Sequence, residues 1–164
     1  MLPHLDAAYN LARWLLQHEQ DAEDCVQETY LNAFSAFGRF RGGDGRAWLL
    51  AIVRNACYSR LRQRRRAEPP LAFDEELHQP AAGDGSETAF WQREDVRELL
   101  DRALARLPED FREVLVLHEL EGLAYKEIAA VAAIPLGTVM SRLARARARM
   151  QIEVRALLQQ NPTP

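Results

Sequence analysis

Residues 123–150 constrain the fold more strongly than any other stretch, because they read as two helices separated by a short turn. Apolar residues such as Ile128 and Val131 predict a first helix over about residues 125–132. The turn at residues 133–135 ends in Pro135, and proline suits the entrance of a helix but not its interior. A second helix is therefore predicted to begin near residues 136–137 and to run past residue 150.

The predicted second helix has two faces. Its apolar stripe consists of Val139, Leu143, Ala146 and Met150. A polar face with the same spacing consists of Thr138, Arg142, Arg145 and Arg149. This pattern is typical of a helix-turn-helix, whose second helix enters the DNA major groove with its N-terminal end. The alternative is a helical hairpin whose arginines form an ordinary solvated face.

The distribution of charge supports DNA binding better than the total charge does. The net charge is −3, which by itself argues weakly against a nucleic-acid partner. Residues 39–66, however, contain nine arginines and one acid, and residues 136–149 contain four arginines and no acid. Between them, residues 69–101 contain nine acids and two arginines. Two basic segments thus flank an acidic middle.

Several functional classes receive no support from the sequence. No apolar run reaches the roughly 18 residues of a membrane-spanning helix, and the N-terminus lacks the pattern of a secretory signal, so a cytoplasmic location without membrane insertion is expected. Cys25 and Cys57 form no motif and are interpreted as two reduced thiols. No cluster has metal-ligand spacing, and no nucleophile and base are paired. We therefore expect no metal, no cofactor and no enzymatic activity.

The first 66 residues predict three helices. The first covers residues 4–17, and the second follows Asp21 as its N-cap, with an apolar stripe of Val26, Tyr30, Ala33 and Phe37. Asp24, Gln27 and Glu28 lie on a separate polar face, which without context is ordinary solvation. A third helix over residues 47–66 has a core stripe of Leu49, Ile52, Val53 and Ala56.

The third helix ends in five arginines among seven residues, which exceeds what capping of a helix requires. Phosphate is the natural counter-charge for such a cluster. The glycine-rich loop before this helix, residues 38–46, contains Phe40 among arginines. Phe40 is either a platform for unstacked bases or a plug for the core, and the segment itself favours neither interpretation.

Residues 67–88 break the helical periodicity with three prolines, two glycines and several acids, which predicts a flexible linker. Its acids Asp74, Glu75 and Glu76 are expected to discourage DNA contact in the free protein. A second domain then begins near residue 89, with a stripe of Val96, Leu99, Leu100, Ala103, Leu104 and Leu107. Pro108 opens the next helix and Gly122 caps its end. The predicted fold is all-α, with two small helical domains at residues 1–66 and 89–155.

Three segments resemble conserved regions two and four of bacterial RNA polymerase sigma factors. They are DAEDCVQETYLNAF (residues 21–34), WLLAIVRNACYSRLRQRRR (48–66) and the stretch from LPEDF to RARM (107–150). The small extracytoplasmic-function group, which retains only these two regions, is the best match. The order of the segments and the place of the linker also agree with this group.

The resemblance implies a role for each region. Asp24, Gln27 and Glu28 match the helix that docks on the clamp of the largest polymerase subunit. The loop and third helix match the part that captures flipped bases of the −10 element and melts the duplex, which assigns DNA contacts to Phe40, Arg41, Arg46, Trp48, Arg54, Asn55, Arg60 and Arg62. The recognition helix for the −35 element would use Thr138, Ser141, Arg142, Arg145 and Arg149. Implied partners are core polymerase (beta-prime clamp and beta flap), duplex and melted promoter DNA, and an anti-sigma factor.

Two positions depart from the family pattern. The family often has Leu-Gly where this chain has Ala132-Ala133, so the turn is expected to differ slightly, because alanine tolerates a positive φ poorly. Met140 replaces a frequent lysine and removes one DNA contact. Two other functions remain open: a dimeric helix-turn-helix regulator, which leaves residues 21–66 unexplained, and a sigma mimic that only sequesters an anti-sigma factor, which the retained arginines oppose.

Overall fold

The structure is a computed structural model that describes residues 4–40, 42–67 and 93–160. All regular elements within these ranges are helical, which confirms the predicted all-α fold class. The N-terminal unit comprises α1 (Leu5–Leu16), α2 (Glu19–Ala36), a 3₁₀ turn (Phe37–Arg39) and α3 (Gly45–Ala67). The C-terminal unit comprises α4 (Arg93–Ala105), α5 (Glu109–Leu115), a π-helical turn (Val116–Leu120), α6 (Tyr125–Ala132) and α7 (Leu136–Gln160).

The three helices of the N-terminal unit pack against one another around a leucine-rich core. Its large, fully buried side chains are Leu11, Leu15, Leu49, Leu50 and Val53. Burying each such side chain contributes about 1.5–3 kcal/mol. Ile52 and Ala56 from the predicted stripe of α3 are only half-buried. The core therefore fixes one face of α2 and one face of α3, and it leaves the outer face of α2 exposed.

Two predictions about α2 are wrong. The helix begins at Glu19, after the extended residue His18, so Asp21 lies inside the first turn instead of capping it. The left-handed conformation of Gln17 (φ 57°) ends α1 and sets this earlier start. Phe37 does not extend the buried stripe, because α2 ends at Ala36 and Phe37 is 54% exposed in the following turn.

The helix-turn-helix prediction is confirmed with helices at Tyr125–Ala132 and Leu136–Gln160. Val139, Leu143 and Ala146 are buried and Met150 is half-buried, as the apolar stripe predicts. Glu127 accepts a hydrogen bond from the Ala124 N–H at 3.0 Å and so fixes the start of α6. Gly122 has a φ of 67°, which confirms its capping role.

The expected departure of the turn at Ala133 is wrong, because alanine takes the conformation that glycine usually supplies. Ala133 lies in the left-handed region with φ 54° and ψ 48°. Its N–H donates to the Ala129 carbonyl, which closes the end of α6 in the usual way. The packed helices on both sides thus hold alanine in a conformation that costs it energy.

The remaining corrections concern the limits of elements. Val96 and Leu100 are 44% and 41% exposed, so the N-terminal half of the α4 stripe is not core. The third helix extends to Ala67, and the last helix, which was predicted to run past residue 150, continues to Gln160. The predicted linker from residue 68 onward and the start of the second domain at residues 89–92 lie outside the described residues.

The two units pack directly against each other, with α3 against α6 and α1 against α5. Helix α3 is thus shared between the core of its own unit and the contact with the other unit. Among the described residues, no single helix has the length and apolarity of a membrane span. The pair Tyr125–Ala132 and Leu136–Gln160 reaches that length and composition only when counted together across a 102° bend.

Candidate nucleic-acid interface

The loop before α3 holds an aromatic cluster formed by Phe37, Phe40 and Trp48. The ring centroids of Phe40 and Trp48 are 5.1 Å apart, and those of Phe37 and Phe40 are 6.2 Å apart. Phe40 and Trp48 are half-buried, so Phe40 is neither a free platform nor a core plug. The cluster presents a partly exposed aromatic surface beside the start of α3, where a flipped base could stack.

Asp44 caps the start of α3 and thereby positions the residues that follow. Its Oδ1 accepts hydrogen bonds from the N–H groups of Arg46 at 3.0 Å and Ala47 at 3.3 Å. The Arg46 side chain then reaches the C-terminal unit, where Nη1 donates to the Glu121 carbonyl at 3.2 Å. Arg46 also forms an ion pair with Glu127 at 3.7 Å.

Arg54, in the middle of α3, is engaged by a buried carboxylate of the C-terminal unit. Its Nε donates to Oε1 of Glu113, which lies on α5 and has no exposed surface. The Tyr58 hydroxyl donates to the other carboxylate oxygen at 2.9 Å. The guanidinium carbon of Arg54 also lies 4.4 Å from the centroid of the Tyr58 ring. Arg54 therefore faces the other unit instead of solvent.

The pKa of the Glu113 carboxyl is raised, because burial penalises its charged form more than Arg54 and the Tyr58 hydroxyl favour it. Burial also raises the pKa of Tyr58, with the nearby Glu113 charge acting in the same direction. Both shifts arise from the contact between the two units. The buried carboxylate is thus stabilised mainly by groups of the opposite unit.

Three further arginines of α3 are paired with acids, Arg64 with Asp21 among them, whereas two predicted DNA contacts are exposed. Arg60 forms a 2.7 Å ion pair with Glu28 on α2, and Arg65 forms a 2.5 Å ion pair with Glu109 on α5. Asn55 is exposed, with Oδ1 accepting only a long 3.5 Å hydrogen bond from Arg54. Arg62 is exposed and donates to the Ser59 hydroxyl at 3.4 Å. Arg41 lies outside the described residues.

The outer face of α2 carries the residues predicted to contact polymerase. Asp24, Gln27 and Glu28 are all exposed, and Asp24 accepts a hydrogen bond from the Gln20 side chain at 3.1 Å. Sequence reasoning missed two apolar residues that are also highly exposed on α2, Leu31 at 70% and Phe34 at 66%. The signal was present, because both fall outside the buried stripe of the helix. An apolar patch next to acidic residues is suited to a protein partner.

The start of α7 carries the predicted recognition face. Ser141 and Arg145 are exposed, and their contacts stay within the helix: Arg145 donates to the Ser141 carbonyl and hydroxyl at 3.3 Å each. Arg149 pairs with Glu153 of the same helix at 3.1 Å. Thr138 and Arg142 are half-buried, and Arg142 approaches Asp110 of the same unit at 3.9 Å.

Sequence reasoning also missed the residues that join the units. Besides Glu113 and Tyr58, the buried Arg112 donates through Nη1 to the Trp14 carbonyl on α1 at 2.9 Å. A charged pair at 112–113, followed directly by Val114 and Leu115, was the available signal. At the contact between the two units, the acids that pair with arginines of α3 belong to α5 and α6. Asp74, Glu75 and Glu76, which were expected to act this way, lie outside the described residues.

Family models match both units of the chain. Residues 2–67 match the model described as Sigma-70 region 2, and residues 97–150 match Sigma-70, region 4. Across the described residues, no group of three or more His, Cys, Asp or Glu side chains could hold a metal ion.

Curated relatives are similar over most of the chain. An extracytoplasmic-function sigma factor SigE from Mycolicibacterium smegmatis is 34% identical over 90% of this chain, and the aligned part is 57% of that protein. The RNA polymerase sigma-H factor of Pseudomonas aeruginosa is 34% identical, with coverage of 86% and 77% respectively. The sigma-E factor of Escherichia coli K12 is 34% identical, with coverage of 84% and 76%.

Solved structures are similar across both units. The sigma factor RpoE of Bartonella quintana, solved with the anti-sigma factor NepR, has a TM-score of 0.71 and 30% identity, covering 94% of this chain and 93% of that one. CnrH, solved with the cytosolic domain of CnrY, has a TM-score of 0.65 and 28% identity, covering 94% and 84%.

Proposed function

The chain belongs to the extracytoplasmic-function group of the sigma-70 family of RNA polymerase sigma factors, and on that premise we propose that it binds core RNA polymerase and directs promoter-specific initiation of transcription. The observation that carries the proposal is the separation of three surfaces in one chain. The outer face of α2 suits a protein, the aromatic and basic start of α3 suits melted DNA, and the exposed start of α7 suits duplex DNA.

We assign the polymerase contact to Asp24, Gln27 and Glu28, and extend it to Leu31 and Phe34. The exposed apolar pair supplies buried area, and the acidic and amide groups supply orientation, as is usual where a docking patch has an apolar part and a polar rim. Arg60 pairs with Glu28, so the polymerase-facing helix and the DNA-facing helix are tied together at this point.

We assign the −10 contact to the loop and α3. Phe40 and Trp48 supply the stacking surface, Asn55 supplies donors and acceptors for a base edge, and Arg54, Arg60 and Arg62 are assigned to the backbone phosphates. Flipping a base costs a few kcal/mol, which such contacts must offset. Because Arg54 is held by Glu113, full engagement of melted DNA requires the C-terminal unit to move away from α3.

We assign the −35 contact to Thr138, Ser141, Arg142, Arg145 and Arg149 at the start and middle of α7. Arginine can bind guanine or phosphate through two hydrogen bonds, and small hydroxyl residues let the helix approach the bases. Two modest DNA contacts carried by one polymerase gain strength through effective concentration. An anti-sigma factor would keep the protein inactive, and the complex of RpoE with the anti-sigma factor NepR supports this form of control.

Run-off transcription with core polymerase on genomic fragments tests the function. We expect promoter-specific transcripts that fall about tenfold or more with Asn55→Ala or Arg145→Ala, since a good base contact is worth about 1–3 kcal/mol. Gln63→Ala on α3 and Arg155→Ala on α7 are matched controls, because both residues are exposed on the same helices outside the assigned contacts.

Binding to core polymerase is measured in parallel. Polymerase binding without any transcript would contradict the promoter-directing role and favour a mimic that only captures an anti-sigma factor. Absence of polymerase binding would overturn the proposal and leave a plain helix-turn-helix DNA binder, for which light scattering would then reveal a dimer.

A further inference from the structure

The fold brings the two cysteines of the chain into contact. Cys25 lies on α2 and Cys57 lies on α3, 32 residues away, yet their Sγ atoms are 3.6 Å apart. Both side chains are fully buried and both are free thiols. The sequence contains no other cysteine. The pair therefore has only itself as an intramolecular thiol partner.

The surroundings of the two thiols shift their pKa values in opposite directions. A hydrogen bond from the Cys57 thiol lowers the pKa of Cys25 to about 7, and the positive charge of Arg60, one turn beyond Cys57, acts in the same direction. The hydrogen bond with Cys25 and burial raise the pKa of Cys57. Because the thiolate is the reactive form of cysteine, Cys25 has the character of the attacking group and Cys57 that of its partner.

We propose that Cys25 and Cys57 form a redox-active dithiol, which a hydroperoxide converts reversibly into an intramolecular disulfide between α2 and α3. The Cys25 thiolate attacks one peroxide oxygen, the O–O bond breaks, and Cys25 becomes a sulfenic acid while hydroxide leaves and takes up a proton to form water. The Cys57 sulfur then attacks Cys25, the S–O bond breaks, and a second water leaves. Two electrons pass from the sulfur atoms to hydrogen peroxide, and a dithiol reductant reverses the reaction.

The geometry requires only a local adjustment. A disulfide bond is about 2.05 Å long, so the two sulfur atoms must approach by about 1.5 Å. Both lie in the interior of a single helical unit, and full burial limits oxidation to moments when α2 and α3 open slightly. The bond joins the helix that carries Glu28 to the helix that carries Asn55, and it restricts the unfolded chain between them.

The test treats the reduced full-length protein with hydrogen peroxide under native conditions. The reaction is quenched with an alkylating reagent in denaturant and analysed by intact-mass and peptide mass spectrometry. We expect a monomer that has lost two hydrogens, resists alkylation, contains a Cys25–Cys57 cross-linked peptide and regains both thiols with dithiothreitol. Its thermal unfolding midpoint is expected to lie above that of the reduced protein.

The variants Cys25→Ser and Cys57→Ser provide the controls. Neither can lose two hydrogens within one chain, and Cys57→Ser is expected to accumulate a sulfenic acid at Cys25 that dimedone traps. The wild-type mass readout stands even if a variant fails to fold. The proposal is overturned if the native wild-type keeps both thiols at a peroxide concentration that oxidises the urea-unfolded chain. It is equally overturned if the product is an intermolecular disulfide or an irreversible sulfinic acid.

Discussion

The surfaces of α3 and α7 that we propose bind DNA are both arginine-rich, yet their arginines are held in different ways. On α3, Arg54 contacts Glu113 and Arg65 contacts Glu109, and both acids belong to the C-terminal unit. On α7, Arg145 and Arg149 bond only to groups of their own helix in the described structure. The C-terminal unit therefore occupies part of the first surface, at Arg54 and Arg65, whereas Arg145 and Arg149 on the second surface are open to solvent.

This difference separates the two proposed DNA contacts energetically. Duplex DNA can approach α7 without any rearrangement, because the exposed arginines exchange weak local contacts for phosphate. Melted DNA can reach Arg54 only after the buried Glu113 carboxylate has been separated from its partners. The two units thus respond differently to mutation, to pH and to salt, and each difference can be measured.

Removing the cation from the contact between the units is expected to change the protein most. Arg54→Ala leaves the Glu113 carboxylate buried without its ion-pair partner, which costs about 3–5 kcal/mol for a buried pair. Separation of the units relieves this cost, so we expect a larger radius of gyration in small-angle X-ray scattering. Arg62→Ala on the same helix is the control, because Arg62 is exposed and contacts only Ser59. Identical scattering from both variants would show that Arg54 does not hold the units together.

The next prediction concerns pH. The folded pKa of Glu113 is raised above its ordinary value of 4.5, so its contribution to stability is complete below pH 4.5 and is lost as pH rises through the raised value. The charged and titratable groups that face it are Arg54 and Tyr58 from α3 and Arg142 from α7. We therefore expect the free energy of unfolding of the wild type, relative to Glu113→Gln, to decrease as pH rises from 4 to 7. Urea denaturation at several pH values measures this difference. The same pH dependence of the free energy of unfolding in both proteins would contradict the assignment.

On α7, a change of charge at Met140 is expected to alter the salt dependence of DNA binding. Met140 is 52% exposed at the start of α7, in the position where the family often has lysine. Met140→Lys is expected to add one phosphate contact, steepening the salt dependence by about 0.9 and making the affinity fall about threefold more between 50 and 200 mM salt. Fluorescence anisotropy with duplex DNA measures this slope, and Met140→Gln is the uncharged control. An unchanged slope would place Met140 away from the DNA backbone.

The smallest expected effect concerns the left-handed conformation of Ala133 in the turn before α7. Ala133 pays for a left-handed conformation, so Ala133→Gly is expected to stabilise the protein by about 0.5–1 kcal/mol. Ala130→Gly, at an exposed interior position of α6, should destabilise it by about 1 kcal/mol. Urea denaturation compares the two variants. Similar destabilisation by both would mean that the turn is not held in the left-handed form.

The sequence predicted the open surface well and the occupied surface poorly, for a physical reason. Pro135 and Gly122 mark the helix-turn-helix locally, and the stripe from Val139 to Ala146 specifies which face is buried. The partnership of Arg54 with Glu113 spans 59 residues, and that of Cys25 with Cys57 spans 32. Helical periodicity indicates that a face is buried but not what covers it. Local rules also misplaced the start of α2, because Asp21 looked like a better cap than His18.

The buried Glu113 contact has a consequence for how strongly the protein binds melted promoter DNA. In the closed arrangement Glu113 contacts Arg54, and in the open one the two units are apart. If the closed population exceeds the open one about tenfold, the apparent dissociation constant for melted −10 DNA rises by about the same factor, whereas that for the −35 duplex is unchanged. Melted DNA is therefore bound strongly only at a promoter that also occupies the −35 contact, or when the polymerase holds the two units apart. Non-specific single-stranded DNA elsewhere in the genome gains neither advantage, so its apparent affinity is lowered by the whole factor.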